Sequence, residues 1–319
     1  MKFRKNITIF SIIAFLAILL IIWFWIIGST QNDMRSEHPL DIAENSIPMT
    51  DMPFCAVMVP GLKFKIDTGA DISSLSDEDA EKLKQMGYEV KTSYKPITGR
   101  DGYGKYIFSP KRYTVTLPMG GYKVSKDSLG NCRYTYSGHP ANKILNVDFA
   151  PTADQVSSLG LDFLRKYKLE FDFNEKAIKF HDTIPADYQH VSDLLCNVSI
   201  KDKFWSAKRL YIILSINQRP QIYQMDTGLQ RTAIKMPEEE IKRAKHILRD
   251  DSIFTMRHSY SAKVDDKAWV EFGNRCGTKA VYYYDNQEDS YQMNPLNMFE
   301  QDLVIDIEGQ AIYFRPYQK

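Results

Sequence analysis

The chain has 319 residues, 44% of them hydrophobic and 13% aromatic, which is enough apolar material for two modest domains with sizeable cores. Its 41 basic residues balance 40 acidic ones, so charge gives no reason to expect nucleic acid as a partner. The many Tyr and Phe residues, with turn residues spaced along the chain, favour strands over a helical bundle. We therefore expect an all-β protein with short helices.

The N-terminus departs from this globular pattern. Residues 7–28 are almost wholly apolar, and a run of about 20 apolar residues is long enough to span a bilayer. Because basic residues precede the run, residues 1–6 are expected to form a cytoplasmic tail, with the rest of the chain extracytoplasmic, in a periplasm or outside the cell. A cleaved signal peptide is the alternative, but the run exceeds the usual length and no Ala-x-Ala site follows. We favour a single transmembrane signal-anchor in the lipid bilayer, followed by a polar stalk at 29–50.

The four cysteines, Cys55, Cys132, Cys196 and Cys276, are even in number and face an oxidising compartment under this topology. One or two disulfides can form among three pairings. The alternative is that they are small buried apolar residues, and none of them lies in a Cys-x-x-Cys motif.

A strand that ends in a carboxylate is the central feature of the folded part. Residues 62–66 alternate apolar and polar side chains, which predicts a strand, and the strand leads directly into Asp-Thr-Gly at 67–69. A small Thr and a Gly allow the loop that carries Asp67 to turn tightly. The same arrangement returns after the apolar alternation at 221–225, with Asp-Thr-Gly at 226–228.

Each Asp-Thr-Gly loop precedes a predicted helix. In the first copy Ser76 is a plausible N-cap, acidic residues fill the first turn, and Gly87 ends the helix. In the second copy Pro237 precedes three glutamates, which again suits the positive end of a helix.

The two copies extend beyond these loops. Aligning Asp67 on Asp226 also places apolar residues on apolar residues, and the segment Leu169–Phe180 matches Leu303–Phe314 in the same way. The second copy is shorter, which an irregular insertion at Gly120–Val156 would explain. We therefore predict two homologous lobes, at 51–185 and 186–319.

The motif Asp-Thr-Gly-Ala-Asp at 67–71 resembles the active-site motif of retropepsin-like and pepsin-like aspartyl proteases, and Asp-Thr-Gly at 226–228 resembles a second copy of it. Residues 158–173 resemble the segment that closes each lobe in that family. The resemblance implies two aspartic-protease-like β lobes that form a pseudo-dimer within one chain. It also implies a monomeric aspartic endopeptidase that hydrolyses protein or peptide substrates and uses no cofactor and no metal.

Asp67 and Asp226 are the catalytic candidates. Two carboxylates held about 3 Å apart cannot both ionise cheaply, so one keeps a proton, and the pair can activate a water while protonating a carbonyl oxygen. The sequence does not assign which of the two is protonated.

The resemblance also gives roles to the other residues of the two loops. Thr68 and Thr227 are expected to bond across to the opposite loop. Gly69 and Gly228 are expected to let backbone N–H groups approach the carboxylates.

The glycine-rich stretch Pro96–Gly104 matches, by the same resemblance, the hairpin that folds over the substrate as a flap, with Tyr103 as a candidate contact. An ordinary hairpin tip is the alternative interpretation of this stretch.

Three positions depart from the family pattern. Leu229 follows the second motif where the family has a small or hydroxyl residue, Asn294 stands at the register of Gly160, and Leu161 replaces an arginine of the retroviral enzymes. The first two support an alternative function, an inactive protease fold that serves as a peptide-binding or interaction module.

Other enzyme classes find less support. The six histidines show no metal-ligand spacing, which argues against a metalloenzyme. Paired carboxylates also serve glycosidases, but not as repeated Asp-Thr-Gly loops.

Overall fold

The computed structural model describes residues 11–23, 46–51, 54–94, 97–100, 106–140, 142–153, 156–197, 209–229, 234–254, 259–284, 291–299 and 301–316. Strands dominate these residues, and the helices of the folded part are short. The expected all-β class with short helices is therefore confirmed. Along the chain the helical segments are α1 (11–23), α2 (Asp77–Gln85), α3 (Leu161–Leu164), a 3-10 helix (Glu238–Arg243) and α4 (Pro295–Phe299).

In the part of the chain that the structure describes, no helix has both the length and the apolar character needed to cross a membrane. Both ends of the predicted anchor at 7–28 lie outside the described residues.

The first half of the chain forms a seven-stranded sheet around the strand that precedes Asp67. In spatial order its strands are β2 (Cys55–Val59), β3 (Leu62–Ile66), β12 (Ser157–Leu159), β4 (Ser74–Ser76), β11 (Asn142–Thr152), β8 (Arg112–Met119) and β5 (Val90–Ser93). The strands β3 and β12 are parallel, as are β4 and β11. The chain therefore returns from remote segments to place β12 directly beside the strand that delivers Asp67.

The second half forms an eight-stranded sheet. In spatial order its strands are β16 (Leu195–Asn197), β17 (Arg209–Ile216), β18 (Arg219–Met225), β23 (Gln292–Met293), β19 (Ile234–Pro237), β22 (Arg275–Tyr284), β21 (Ser259–Phe272) and β20 (Arg249–Phe254). Beyond the edge strand β16, the order from β17 to β20 follows the order from β2 to β5 strand for strand. The parallel pairs also correspond, since β18 pairs with β23 and β19 with β22.

A six-stranded sheet joins the two halves. Its strands are β1 (Ile47–Pro48), β14 (Ala177–His181), β13 (Lys168–Asp172), β24 (Leu303–Asp306), β25 (Ala311–Phe314) and β15 (Gln189–Asp193). The two central strands, β13 and β24, come from different halves and pair antiparallel. One continuous core of buried residues includes side chains from both halves.

Charged side chains reinforce this joint sheet. Arg315 of the second half donates to Glu170 of the first half at 3.0 Å. Lys168 of the first half contacts Asp306 of the second half at 2.8 Å, so each half supplies a cation to an ion pair with the other. Burial alone would raise the pKa of Glu170, but a hydrogen bond with His181 and nearby cations outweigh burial and lower it to about 2. The pKa of Glu170 shows that its ionised form is stabilised inside the fold.

Two hairpins stand apart from the large sheets. They are formed by β6 (Ile97–Arg100) with β7 (Tyr106–Ser109), and by β9 (Tyr122–Lys126) with β10 (Cys132–Tyr136). The first half does carry extra residues in the region Gly120–Val156, but the expectation that they are irregular was wrong, because they form the β9–β10 hairpin, and the rest of the region belongs to β11, a central strand of the first sheet. The second half has only a tight turn between the corresponding strands β21 and β22.

Three other expectations need correction or refinement. The stalk at 29–50 was drawn too long, because Ile47 is buried and pairs with Ile178 in the joint sheet. The helix after Pro237 is a 3-10 helix. The open question of disulfides is answered for three cysteines, since Cys55, Cys132 and Cys276 are free thiols.

Candidate active site

The two Asp-Thr-Gly loops meet, and the aspartate of each loop forms a backbone hydrogen bond with a neighbouring strand of its own sheet. The amide of Asp67 donates to the carbonyl of Leu159 on β12 at 3.0 Å. The amide of Asp226 donates to the carbonyl of Met293 on β23 at 2.8 Å. Both aspartates therefore leave their strands at equivalent places, next to a parallel partner.

Reciprocal hydrogen bonds between two threonines join the loops. The amide of Thr68 donates to Oγ1 of Thr227 at 3.0 Å, and the amide of Thr227 donates to Oγ1 of Thr68 at 3.0 Å. Each hydroxyl then donates to a carbonyl of the opposite strand, Thr68 to Met225 at 3.2 Å and Thr227 to Ile66 at 2.8 Å. Because all four bonds are buried, they fix the two loops with little freedom.

Backbone amides hold each carboxylate. Oδ1 of Asp67 accepts from the amides of Gly69 at 3.0 Å and Ala70 at 3.1 Å. Oδ1 of Asp226 accepts from the amide of Gly228 at 2.8 Å. The orientation of both carboxyl groups is therefore set by the loops that carry them.

Glycine is required in each loop because the opposite carboxyl group packs against it. A Cβ at Gly69 would lie 2.5 Å from Cγ of Asp226, and a Cβ at Gly228 would lie 2.6 Å from Cγ of Asp67. A side chain at either position would therefore displace the carboxyl group of the opposite loop.

Both carboxyl groups are buried, and burial perturbs the pKa of Asp226. Asp67 is 0% exposed and Asp226 is 4% exposed. Burial and the neighbouring charge of Asp67 raise the pKa of Asp226 to about 7. Asp226 is thus arranged to keep its proton up to nearly neutral pH.

A lysine contacts this pair. Nζ of Lys65 lies 2.5 Å from Oδ2 of Asp67, and the lysine side chain is 11% exposed. Lys65 lies on β3 two residues before Asp67, so both side chains point to the same face of the strand. The corresponding residue of the second half is Gln224, which carries no charge and accepts a hydrogen bond from Arg209 at 3.0 Å.

The loop of the first half is supported by close packing and by a buried carboxylate. A Cβ at Gly160 would lie 2.7 Å from the backbone of Ile72, so only glycine allows this approach. Oδ1 of Asp162 accepts from the amide and the hydroxyl of Ser73 and from the amide of Phe163. Burial raises the pKa of Asp162, although these hydrogen bonds act in the opposite direction.

The loop of the second half is supported by an amide side chain. Nδ2 of Asn294 donates to the carbonyls of Thr227 at 3.1 Å and Leu229 at 2.9 Å. Its Oδ1 accepts from the amide of Leu296, which makes Asn294 the N-cap of α4. Asn294 is fully buried at the register of Gly160, and it connects the second loop to the segment beneath it.

The structure brings six of the predicted site residues together: Asp67, Thr68, Gly69, Asp226, Thr227 and Gly228. Tyr103, the flap candidate, lies outside the described residues. Leu161 is buried at the start of α3, and Leu229 is partly exposed beside the second loop. Among the described residues, no group of three or more His, Cys, Asp or Glu side chains is arranged to hold a metal ion.

Lys65 was missed by sequence reasoning, which treated it as the polar member of an alternating strand. The signal was its spacing, because two residues before a strand-end carboxylate places a side chain on the same face as that carboxylate. The supporting role of Asn294 was also missed, since the position had been interpreted only as a departure from glycine.

No protein-family model matches the sequence, and a search among curated proteins also finds no match. A carboxyl pair with one proton can take a proton from a water molecule and give its own proton to an adjacent oxygen.

Proposed function

We propose that this protein is an aspartic endopeptidase in which Asp67 and Asp226 activate a water molecule to hydrolyse peptide bonds. The observation that carries the proposal is the reciprocal hydrogen bonding of Thr68 and Thr227, which joins two Asp-Thr-Gly loops with both aspartates buried side by side. Two accidental tripeptides have no physical reason to meet in this way.

The common strand order of the two large sheets supports a pseudo-dimer of homologous lobes. The loops, the parallel strands beneath them and the helical segments after them occur in the same order in both halves. Because one chain supplies both aspartates, the proposed enzyme is a monomer with an internal site. We further propose that residues 7–28 anchor it in a bilayer, with the lobes on the extracytoplasmic side.

Peptide hydrolysis needs a nucleophilic water and a proton for the leaving amine. A carboxyl pair supplies both by general acid–base catalysis, without a covalent intermediate and without a cofactor. The pKa of about 7 at Asp226 suits this use, since the pair then keeps one proton in acid and weakly acid solution. Proteins and peptides are the substrate class proposed here.

The test is cleavage of a mixed peptide library by the full chain in detergent, from pH 3 to pH 8, beside the variants Asp67→Asn and Asp226→Asn. We expect either substitution to reduce the rate at least about a thousandfold, because each removes one of two groups that act as a unit. If only Asp67→Asn abolished cleavage, a homodimer of first lobes would replace the single-chain proposal.

An inactive peptide-binding module is the competing function, and the same preparation distinguishes it. A pepstatin-like transition-state mimic should raise the melting temperature of the wild type, and each Asp→Asn variant should lose this protection. A wild type that cuts nothing at any pH would leave the binding module as the better function.

A further inference from the structure

The dyad is not electrostatically symmetric, because Lys65 forms a direct ion pair with Asp67, whereas it acts on Asp226 as a nearby charge that opposes the rise in the pKa of that carboxyl group. Nζ of Lys65 lies 2.5 Å from Oδ2 of Asp67, in a position where the lysine is almost fully buried. A buried ammonium group is costly unless it is paired, so this contact stabilises the ionised form of the carboxylate. Gln224, at the corresponding position in the other half, offers no charge to Asp226.

Two further titratable groups, Asp226 and Cys55, lie close to this ion pair. Asp226 faces it from the loop after β18. The charge of Asp67 changes the pKa of Asp226 more than the charge of Lys65 does, since the two carboxylates repel each other when both are charged. Cys55 lies on the neighbouring strand β2, opposite Lys65 in the register, and burial raises the pKa of its thiol. A neutral thiol adds no charge to the site, so Lys65 and the two aspartates determine its charge.

We propose that Lys65 is a positioning residue that makes Asp67 the ionised member of the dyad and therefore the general base, leaving Asp226 as the general acid. The proposal rests on the proposed function for its mechanistic meaning. It assigns the two roles that the motif alone leaves open, through a charged side chain outside both Asp-Thr-Gly motifs.

Under this assignment the protons balance. Asp67 takes a proton from the water molecule as the water oxygen forms a bond to the peptide carbon. Asp226 gives its proton to the carbonyl oxygen. The tetrahedral diol then collapses, and the C–N bond breaks. Asp67 passes its proton to the leaving nitrogen, and a diol hydroxyl returns a proton to Asp226. The net reaction is addition of one water across the peptide bond.

The charge asymmetry can be measured without any enzymatic activity. Infrared difference spectra of the full chain report the protonated carboxyl group that remains in Asp67→Asn and in Asp226→Asn, each against the double variant. We expect the remaining Asp67 to titrate at least about one pH unit below the remaining Asp226, because Asp67 forms the direct ion pair with Lys65. Adding Lys65→Met should narrow this gap, and Lys65→Arg should preserve it.

A matched control is available on the same strand. Lys63 lies two residues before Lys65 on the same face but is exposed, so Lys63→Met should leave both titrations unchanged. Equal or reversed titration midpoints, or a gap that Lys65→Met does not alter, would overturn the proposal. Melting temperatures identify any variant that fails to fold, and Lys65→Gln then provides a second neutral substitution.

The pH profile of peptide cleavage gives an independent readout. Lys65→Met should move both limbs of the profile to higher pH by about one unit, because loss of the cation favours the protonated form of the dyad. A purely structural lysine would change the rate or the stability without moving the limbs, and this result would overturn the proposal. A wild type with no activity would count against the proposed function, while the infrared titration would still test Lys65.

Discussion

The two loop supports, Gly160 beneath the first loop and Asn294 beneath the second, reach the same loop geometry by different chemistry. In the first half the backbone approaches so closely that no side chain fits, and Asp162 bonds Ser73 from the side. In the second half the gap is filled by the Asn294 amide, which bonds the loop directly. The comparison shows that the position of the loop backbone is the same in both halves, although different residues hold it there.

The largest expected effect comes from exchanging the two supports. Gly160→Asn should destabilise the fold by about 3 kcal/mol, because its Cβ would overlap the backbone of Ile72. Asn294→Gly should cost a similar amount, about 2–4 kcal/mol, because buried carbonyls and an amide lose their partner. Denaturant unfolding of the full chain measures both.

The matched control for this exchange is Asn297→Ala. Asn297 lies on the same helix and makes a longer contact, 3.4 Å, with the carbonyl of Leu229, so its loss should cost less than about 1 kcal/mol. A harmless Asn294→Gly would show that the second loop does not depend on the amide.

A smaller effect tests whether the two threonines are equivalent. Thr68→Val and Thr227→Val each remove a hydroxyl with two buried partners, and each should cost about 1–3 kcal/mol. Serine at either position keeps the hydroxyl and should recover most of the loss. A double-mutant cycle on unfolding free energies measures the coupling, and strongly unequal single costs would contradict the equivalence.

A last expected effect concerns the pH dependence of stability. The pKa of Asp226 is about 7 in the fold, whereas an ordinary Asp titrates near about 4 in the unfolded chain. The folded state therefore binds the proton more tightly, so this contribution is full below pH 4 and is lost as pH rises through 7. We expect Asp226→Asn to gain several degrees in melting temperature relative to the wild type over this range.

Asp182→Asn serves as the control for this measurement, because Asp182 is exposed. A melting-temperature difference between Asp226→Asn and the wild type that stays constant with pH would contradict the elevated pKa.

The sequence predicted the β class and the residues of both loops, since each loop is a contiguous motif at the end of an alternating strand. It failed at β11, where a bulge between Ile144 and Val147 breaks the alternation that marks a strand. It also gave no account of Asn294, because the benefit of a buried amide depends on carbonyls that are remote in sequence. The alternation identified Lys65 only as a polar residue of a strand, whereas the structure buries it against Asp67.

The joint sheet has a consequence for biosynthesis. Its strands β24 and β25, like β23 beneath Asp226, follow the second Asp-Thr-Gly loop by more than sixty residues, at 292–314. A growing polypeptide therefore contains both Asp-Thr-Gly loops long before it contains the strands that hold the second loop and join the halves. The second loop therefore gains its supporting strands only after residues 292–314 have been synthesised, and both loops emerge before these strands are available to hold them together.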